Sequence, residues 1–135
     1  MKQKMCAAVG MLGGIVATAF GGWNGAIVSL LICMGVDYAT GLIVAGVFHK
    51  SPNSSGGGLE SAAGWKGLAR KFVTLLIVIV AHRMDQLLAL DYIREAVIIG
   101  FCANECISIV ENAGLMGIPV PQVIRKAIDA LQDKE

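Results

Sequence analysis

The sequence predicts an all-α polytopic membrane protein: four transmembrane helices and a short C-terminal amphipathic helix, forming one domain over residues 1–135. Three observations carry this. The 135-residue chain is 56% hydrophobic with a mean hydropathy of +0.69 and 16% charged, where soluble domains are about 45–50% apolar and about a quarter charged. Its apolar residues gather into four stretches, approximately residues 5–22, 26–48, 71–90 and 95–113, each near the ~20 residues that a bilayer requires. Its cations are distributed unevenly. Lys2, Lys4, Lys50, Lys66, Arg70, Lys71, Arg125, Lys126 and Lys134 lie in the terminal segments or between the second and third stretches, and Arg83 and Arg94 complete the set. Four crossings put those nine on one face, which the positive-inside rule makes cytoplasmic, with both termini inside. Three crossings, with the first segment peripheral or outside, is the competing topology. A large soluble catalytic domain does not fit, and a net charge of +1 gives no basic excess for nucleic acid.

The first stretch follows a short basic leader, Met1-Lys2-Gln3-Lys4, and has no charge from Met5 to Gly22. A cleaved signal peptide is the weaker reading, because another span begins at once. Ala7, Gly10, Gly14, Ala17 and Gly21 recur at three- and four-residue steps, a small-residue stripe for close helix packing within or between protomers. Gly21-Gly22-Trp23-Asn24-Gly25 reads as a tight turn with an interfacial tryptophan. The second stretch holds one charge, Asp37, on a side shared with Ser29, Cys33 and Thr40. Such a midspan carboxylate is either functional or a hydrogen-bonding anchor between helices.

Residues 49–64 form a polar segment, and Gly56-Gly57-Gly58 without a following Gly-Lys-Ser/Thr reads as flexible linker rather than phosphate loop. Leu59 to Lys71 is expected to approach the membrane as a surface-lying helix. Phe72 to Ala81 is too short to cross alone, so the third span must run on through His82 and Arg83. The fourth carries Asn104, Glu105, Ser108, Glu111 and Asn112 along one side, an oily helix with a wet face. A hairpin about residues 91–94 sets His82 and Arg83 near the depth of Glu105, which predicts pairing of Glu105 with one of them and a polar layer of Asp37, His82, Arg83 and Glu105. Pro119 and Pro121 end the helix, and residues 121–133 alternate as an amphipathic tail for the interface or for docking on neighbours.

The cysteines Cys6, Cys33, Cys102 and Cys106 sit in apolar stretches without ligand-type pairing and read as membrane hydrophobes. A metal site from His82, Glu105, Cys102 and Cys106 is the weakest reading, and no cofactor is expected. A proton-coupled transporter or channel subunit relaying through Asp37 and Glu105 is the main alternative from another class.

With these residues laid out, the chain resembles the phage lysis and toxin-secretion holin family that includes the clostridial toxin-locus holin. The resemblance lies in Asp37-Tyr38-Ala39-Thr40-Gly41, in Gly64-Trp65-Lys66-Gly67-Leu68-Ala69-Arg70-Lys71, and in Ala103 to Gly114 leading into Gly117-Ile118-Pro119-Val120-Pro121, and it covers roughly residues 24–131. It implies a non-enzymatic protein of the bacterial host's cytoplasmic membrane that associates with itself and opens holes through which endolysin, or a toxin, leaves the cell. On that reading the wet face Asn104, Glu105, Ser108, Glu111 and Asn112 lines the hole, and the buried charges act as a two-state polar lock. Met1 and Met5 also leave room for two starts, the longer and more cationic product acting as an antiholin. An ordinary positive-inside leader explains the same lysines.

Overall fold

The computed structural model describes residues 1–133 as five helices, with no strand among the described residues: α1 (Lys2–Phe20), α2 (Gly25–Gly46), α3 (Ser61–Leu88), α4 (Ile93–Leu115) and α5 (Gln122–Gln132). Lys134, counted above among the cations, lies outside the described residues.

Local chemistry sets the helix ends. Gly21 closes α1 in the left-handed region at φ 84°, and the Gly22 N–H returns to Ala17 O, a conformation that favours glycine. Asn24 starts α2 by accepting the Ile27 N–H on its side-chain oxygen at 3.2 Å. α4 has no such cap at its own N-cap residue, Tyr92. The carboxylate of Asp85, near the end of α3, does this instead, accepting the N–H groups of Ile93 and Arg94 at 2.9 Å each. An anion at a helix N-terminus is favoured by the helix dipole, so Asp85 both closes the α3–α4 turn and stays buried.

Two segments differ from the sequence expectation. Residues 61–71 do not form a separate surface helix but are the first turns of α3, a single helix of 28 residues. The loop between α2 and α3 is folded rather than slack. The Ser51 N–H donates to Gly57 O at 2.9 Å, and the N–H and hydroxyl of Ser55 donate to Glu60 Oε2 at 3.2 and 3.3 Å. At Gly57, φ 77°, a Cβ would lie 2.3 Å from His49 O, so any side chain there would break the loop.

α4 is the centre of the bundle. It packs against α2, α3 and α5, whereas α2 and α3 barely meet, and α1 packs on α3 among the described residues. Ile27, Leu30 and Met34 of α2 meet Ile98 of α4 and Val78 of α3, with Phe20 closing the end. This core is small because the large apolar side chains mostly face outward: Ile15 is 65% exposed, Ile32 60% and Val80 56%. Apolar surface on that scale needs a partner, and lipid fits it. α1 and α2 are long and apolar enough to cross a membrane. α3 and α4 have the length but fall outside that composition because of their charges. In lipid, helix association rests on close packing and interhelical hydrogen bonds rather than on removing oil from water, so the polar groups between the helices decide the arrangement.

Candidate functional site

Arg94 anchors one end of the bundle. Its Nε donates to Phe20 O, its Nη2 donates to Gly22 O at 3.2 Å, and its Nη1 pairs with Glu95. Asn24 Nδ2 donates to the same Glu95 carboxylate at 3.1 Å. The α1–α2 and α3–α4 turns are thereby tied together, so α2 and α4 start at the same end and run parallel. Asp37 and Glu105 stand twelve residues beyond Gly25 and Ile93 respectively, about 18 Å along each helix. Equal depth brings them face to face.

Lys71 of α3 joins them. Its Nζ donates to Asp37 Oδ2 at 2.8 Å and to Glu105 Oε2 at 2.7 Å, and all three side chains are about one-sixth exposed or less. Asn112 Nδ2 completes the cluster with bonds to Asp37 Oδ1 at 3.2 Å, Asp37 O at 3.3 Å and Thr40 Oγ1 at 2.8 Å. Three helices therefore share one polar knot at mid-depth. Beside it is a cavity of about 290 Å³ lined by Asp37, Lys71, Glu105, Ser108 and Asn112 and, from the α2–α3 loop, by Ser51 to Ser54.

The convergence of Asp37 and Glu105 on one layer matches the sequence expectation, but the expected cation does not. Glu105 pairs with Lys71, not with His82 or Arg83. The cause is the tight turn between Leu88 and Ile93, which sets Glu105 about level with Leu76 and well beyond the last turns of α3. His82 instead packs its ring against Gly21, and Arg83 is exposed, with Nη1 bonded to Gln86 on its own helix at 3.1 Å. Among the described residues no three His, Cys, Asp or Glu side chains are placed to hold a metal ion, so His82, Glu105, Cys102 and Cys106 do not form the site considered above. Lys71 was hidden in the sequence by its neighbours Lys66 and Arg70, which together read as a solvated basic cluster. The signal for it is the helical spacing of Ala63, Gly67, Lys71 and Thr74, all facing the cavity.

The wet side of α4 is divided. Glu105, Ser108 and Asn112 turn into the bundle, whereas Asn104 and Glu111 are exposed. Along α1, a Cβ added at Gly10 or Gly14 would meet nothing within 4 Å, while at Gly21 it would meet His82 Nδ1 at 2.6 Å. Of that stripe, Gly21 packs closely within the protomer, and its earlier half faces outward.

An all-helical chain that is oily outside and pairs Asp37, Lys71 and Glu105 between its helices has the build of a small membrane protein. It belongs to the bacteriophage holin family, which it matches over residues 14–133. It is 37% identical to an uncharacterized protein of Halalkalibacterium halodurans, over 98% of this chain and 95% of that one. It is 39% identical to an uncharacterized protein of Listeria monocytogenes, over 76% and 69% of the two chains. A protein of Bacillus phage phi105 named "Probable holin" is 31% identical over 76% of this chain and 71% of its own length. No solved structure matches the chain.

Proposed function

We propose that the protein is a holin of the bacterial cytoplasmic membrane that assembles with copies of itself and opens holes for endolysin, or a toxin, to leave the cell. In this reading α1 to α4 each cross the bilayer, both termini face the cytoplasm, and α5 rests at the inner surface. The observation that carries it is the divided wet face of α4, on a chain belonging to the holin family. Asn104 and Glu111 have no hydrogen-bonding partner within the protomer among the described residues. Unsatisfied polar groups cost several kcal/mol each in hydrocarbon, so the two need a neighbouring copy or water.

The remaining polar residues supply the two states. While Lys71 bridges Asp37 and Glu105, α2, α3 and α4 stay bundled and Ser108 and Asn112 face inward. When the bridge parts, the whole stripe of Asn104, Glu105, Ser108, Glu111 and Asn112 is free to face a water-filled lumen shared by several protomers. Two packings of the same helices separated by a few kcal/mol make a switch of this kind.

Expression of the chain in bacteria carrying a cytoplasmic endolysin tests the reading. Abrupt lysis that requires both proteins is the expected result. Sustained viability, or substrate-dependent proton flux without passage of endolysin, would replace the holin reading with that of a transporter using Asp37 and Glu105.

A further inference from the structure

The apolar side of α5 is only half covered. By helical spacing Val123, Ile124, Ala127, Ile128 and Leu131 share that side. Its far half docks on α4, where Ile128 is 7% exposed and Leu131 half-buried. Its near half has no cover: Val123 is 77% exposed and Ile124 47%, and Ile118, just before the helix, is exposed as well. α5 packs on no helix but α4 among the described residues.

The surrounding charges supply a second, independent observation. Arg125 and Lys126 fall on opposite flanks of the apolar side, and Asp129 points away from it between them. Both cations are exposed, and neither forms an ion pair among the described residues. α2 and α4 run the same way from the Arg94 end, so the α2–α3 loop and the starts of α3 and α5 share the other end of the bundle. Lys50, Lys66 and Arg70 lie there too, exposed and without an ion pair among the described residues. Of the acidic groups at that end, Glu60 is engaged by Ser55, and Glu111 lies on the edge of α4 that carries Asn104. The exposed Trp65 stands at the same end, and tryptophan is enriched at the headgroup level of membranes.

We propose that the exposed half of α5 is a docking surface for anionic phospholipid: Ile118, Val123 and Ile124 enter the acyl layer, and Arg125 and Lys126 bind headgroups of net negative charge. An apolar strip with a basic residue on each flank suits the boundary between acyl chains and headgroups, because the long basic stems can lie along the oil while their charges reach the phosphates. A second copy of α5 would cover the strip but bring the same two cations to the same place. Lipid that fixes α5 also fixes the end of α4 on which α5 packs, so the charge of the bilayer bears on the helix that carries the wet face. The inference rests on the holin reading for its membrane setting and adds which lipid holds the tail.

Hydrogen exchange of the full chain in nanodiscs tests it, comparing phosphatidylcholine alone with phosphatidylcholine mixed with phosphatidylglycerol at low salt. Two basic residues at an anionic surface strengthen attachment by about 30-fold, so the amides of α5 are expected to exchange about 10- to 30-fold more slowly with phosphatidylglycerol present, and added salt should shrink the difference. The double variant Arg125→Gln, Lys126→Gln should lose the difference while the amides of α2 and α4 stay protected. Val123→Ser with Ile124→Ser should speed exchange of α5 in both lipids. Equal exchange of the unaltered chain in the two lipids, or a difference that the Arg125, Lys126 variant keeps, would overturn the proposal. So would protection that appears only with two chains in one nanodisc, which gives the surface to a second copy. The two leaflets of a nanodisc have one composition, so the result does not depend on which way the chain is inserted. A tail that answers to phosphatidylglycerol in a chain that causes no lysis keeps this inference and removes the function above, and lysis with a flat response does the reverse.

Discussion

Lys71 shows how one side chain can join helices that outward-facing apolar residues leave unpaired. Its stem runs along the bundle interior and its ammonium reaches two carboxylates from two other helices. Removing one member of a buried ion pair costs about 3–5 kcal/mol, because the partners stay buried without compensation. The Lys71 cluster is part-buried, so Lys71→Met, which keeps the stem and deletes the charge, is expected to lower the unfolding free energy in detergent by a smaller amount, about 1–3 kcal/mol. Arg83→Gln should stay within about 0.5 kcal/mol, as Arg83 is exposed and bonded only to Gln86 among the described residues. Similar losses in the two variants would show that the Lys71 bridge does not hold the bundle. The carboxylates were legible in the sequence because a lone Asp37 or Glu105 in an apolar run is conspicuous. Lys71 was not, because linear neighbours give no direction: only a continuous α3 turns Lys71 inward while Lys66 and Arg70 remain exposed.

At the scale of the elements, α1 differs from the rest of the bundle. Along its length it packs on α3; at its end Phe20 joins the core residues of α2 and α4, Gly21 sits against His82, and Arg94 holds the carbonyls of Phe20 and Gly22. Two separate effects make Gly21 specific: a left-handed backbone, worth about 1 kcal/mol against alanine, and the absence of a Cβ where the His82 ring stands. Gly21→Ala should therefore cost more than the backbone effect. Adding His82→Ala should recover the steric part and leave about 1 kcal/mol, measured as a double-mutant cycle in detergent unfolding. Strictly additive losses would mean that ring and turn do not touch. The helices themselves were legible from apolar runs, Asn24, Gly21 and the prolines. Their ends were less so: Asp85 caps α4 from another helix, and a polar, glycine-rich segment reads as slack even though Gly57 fits a particular turn.

For the whole molecule, the question is what covers the polar atoms that one protomer leaves outside. Asn104 and Glu111 lie seven residues apart, two turns along one edge of α4, and both are exposed. Glu111 is near the end of the helix and can reach the headgroup layer, whereas Asn104 is deeper and level with the Lys71 cluster. A single bundle in lipid leaves the Asn104 amide without a hydrogen-bonding partner, and the cheapest remedy is the same amide, or a backbone carbonyl, on a second copy. Interhelical hydrogen bonds in membranes are worth about 0.6 to 2 kcal/mol, and each 1.4 kcal/mol is a factor of about ten in association. The double variant Asn104→Leu, Glu111→Leu should therefore weaken self-association several-fold to about 100-fold, read by chemical cross-linking in bilayers across a dilution series. Its unfolding midpoint should hold, because neither side chain bonds within the protomer among the described residues. Induced lysis should be delayed or lost in parallel with the oligomers. An unchanged oligomer ladder with unchanged lysis would place the contact between copies elsewhere, with the open half of the α1 stripe at Gly10 and Gly14 the next surface to substitute.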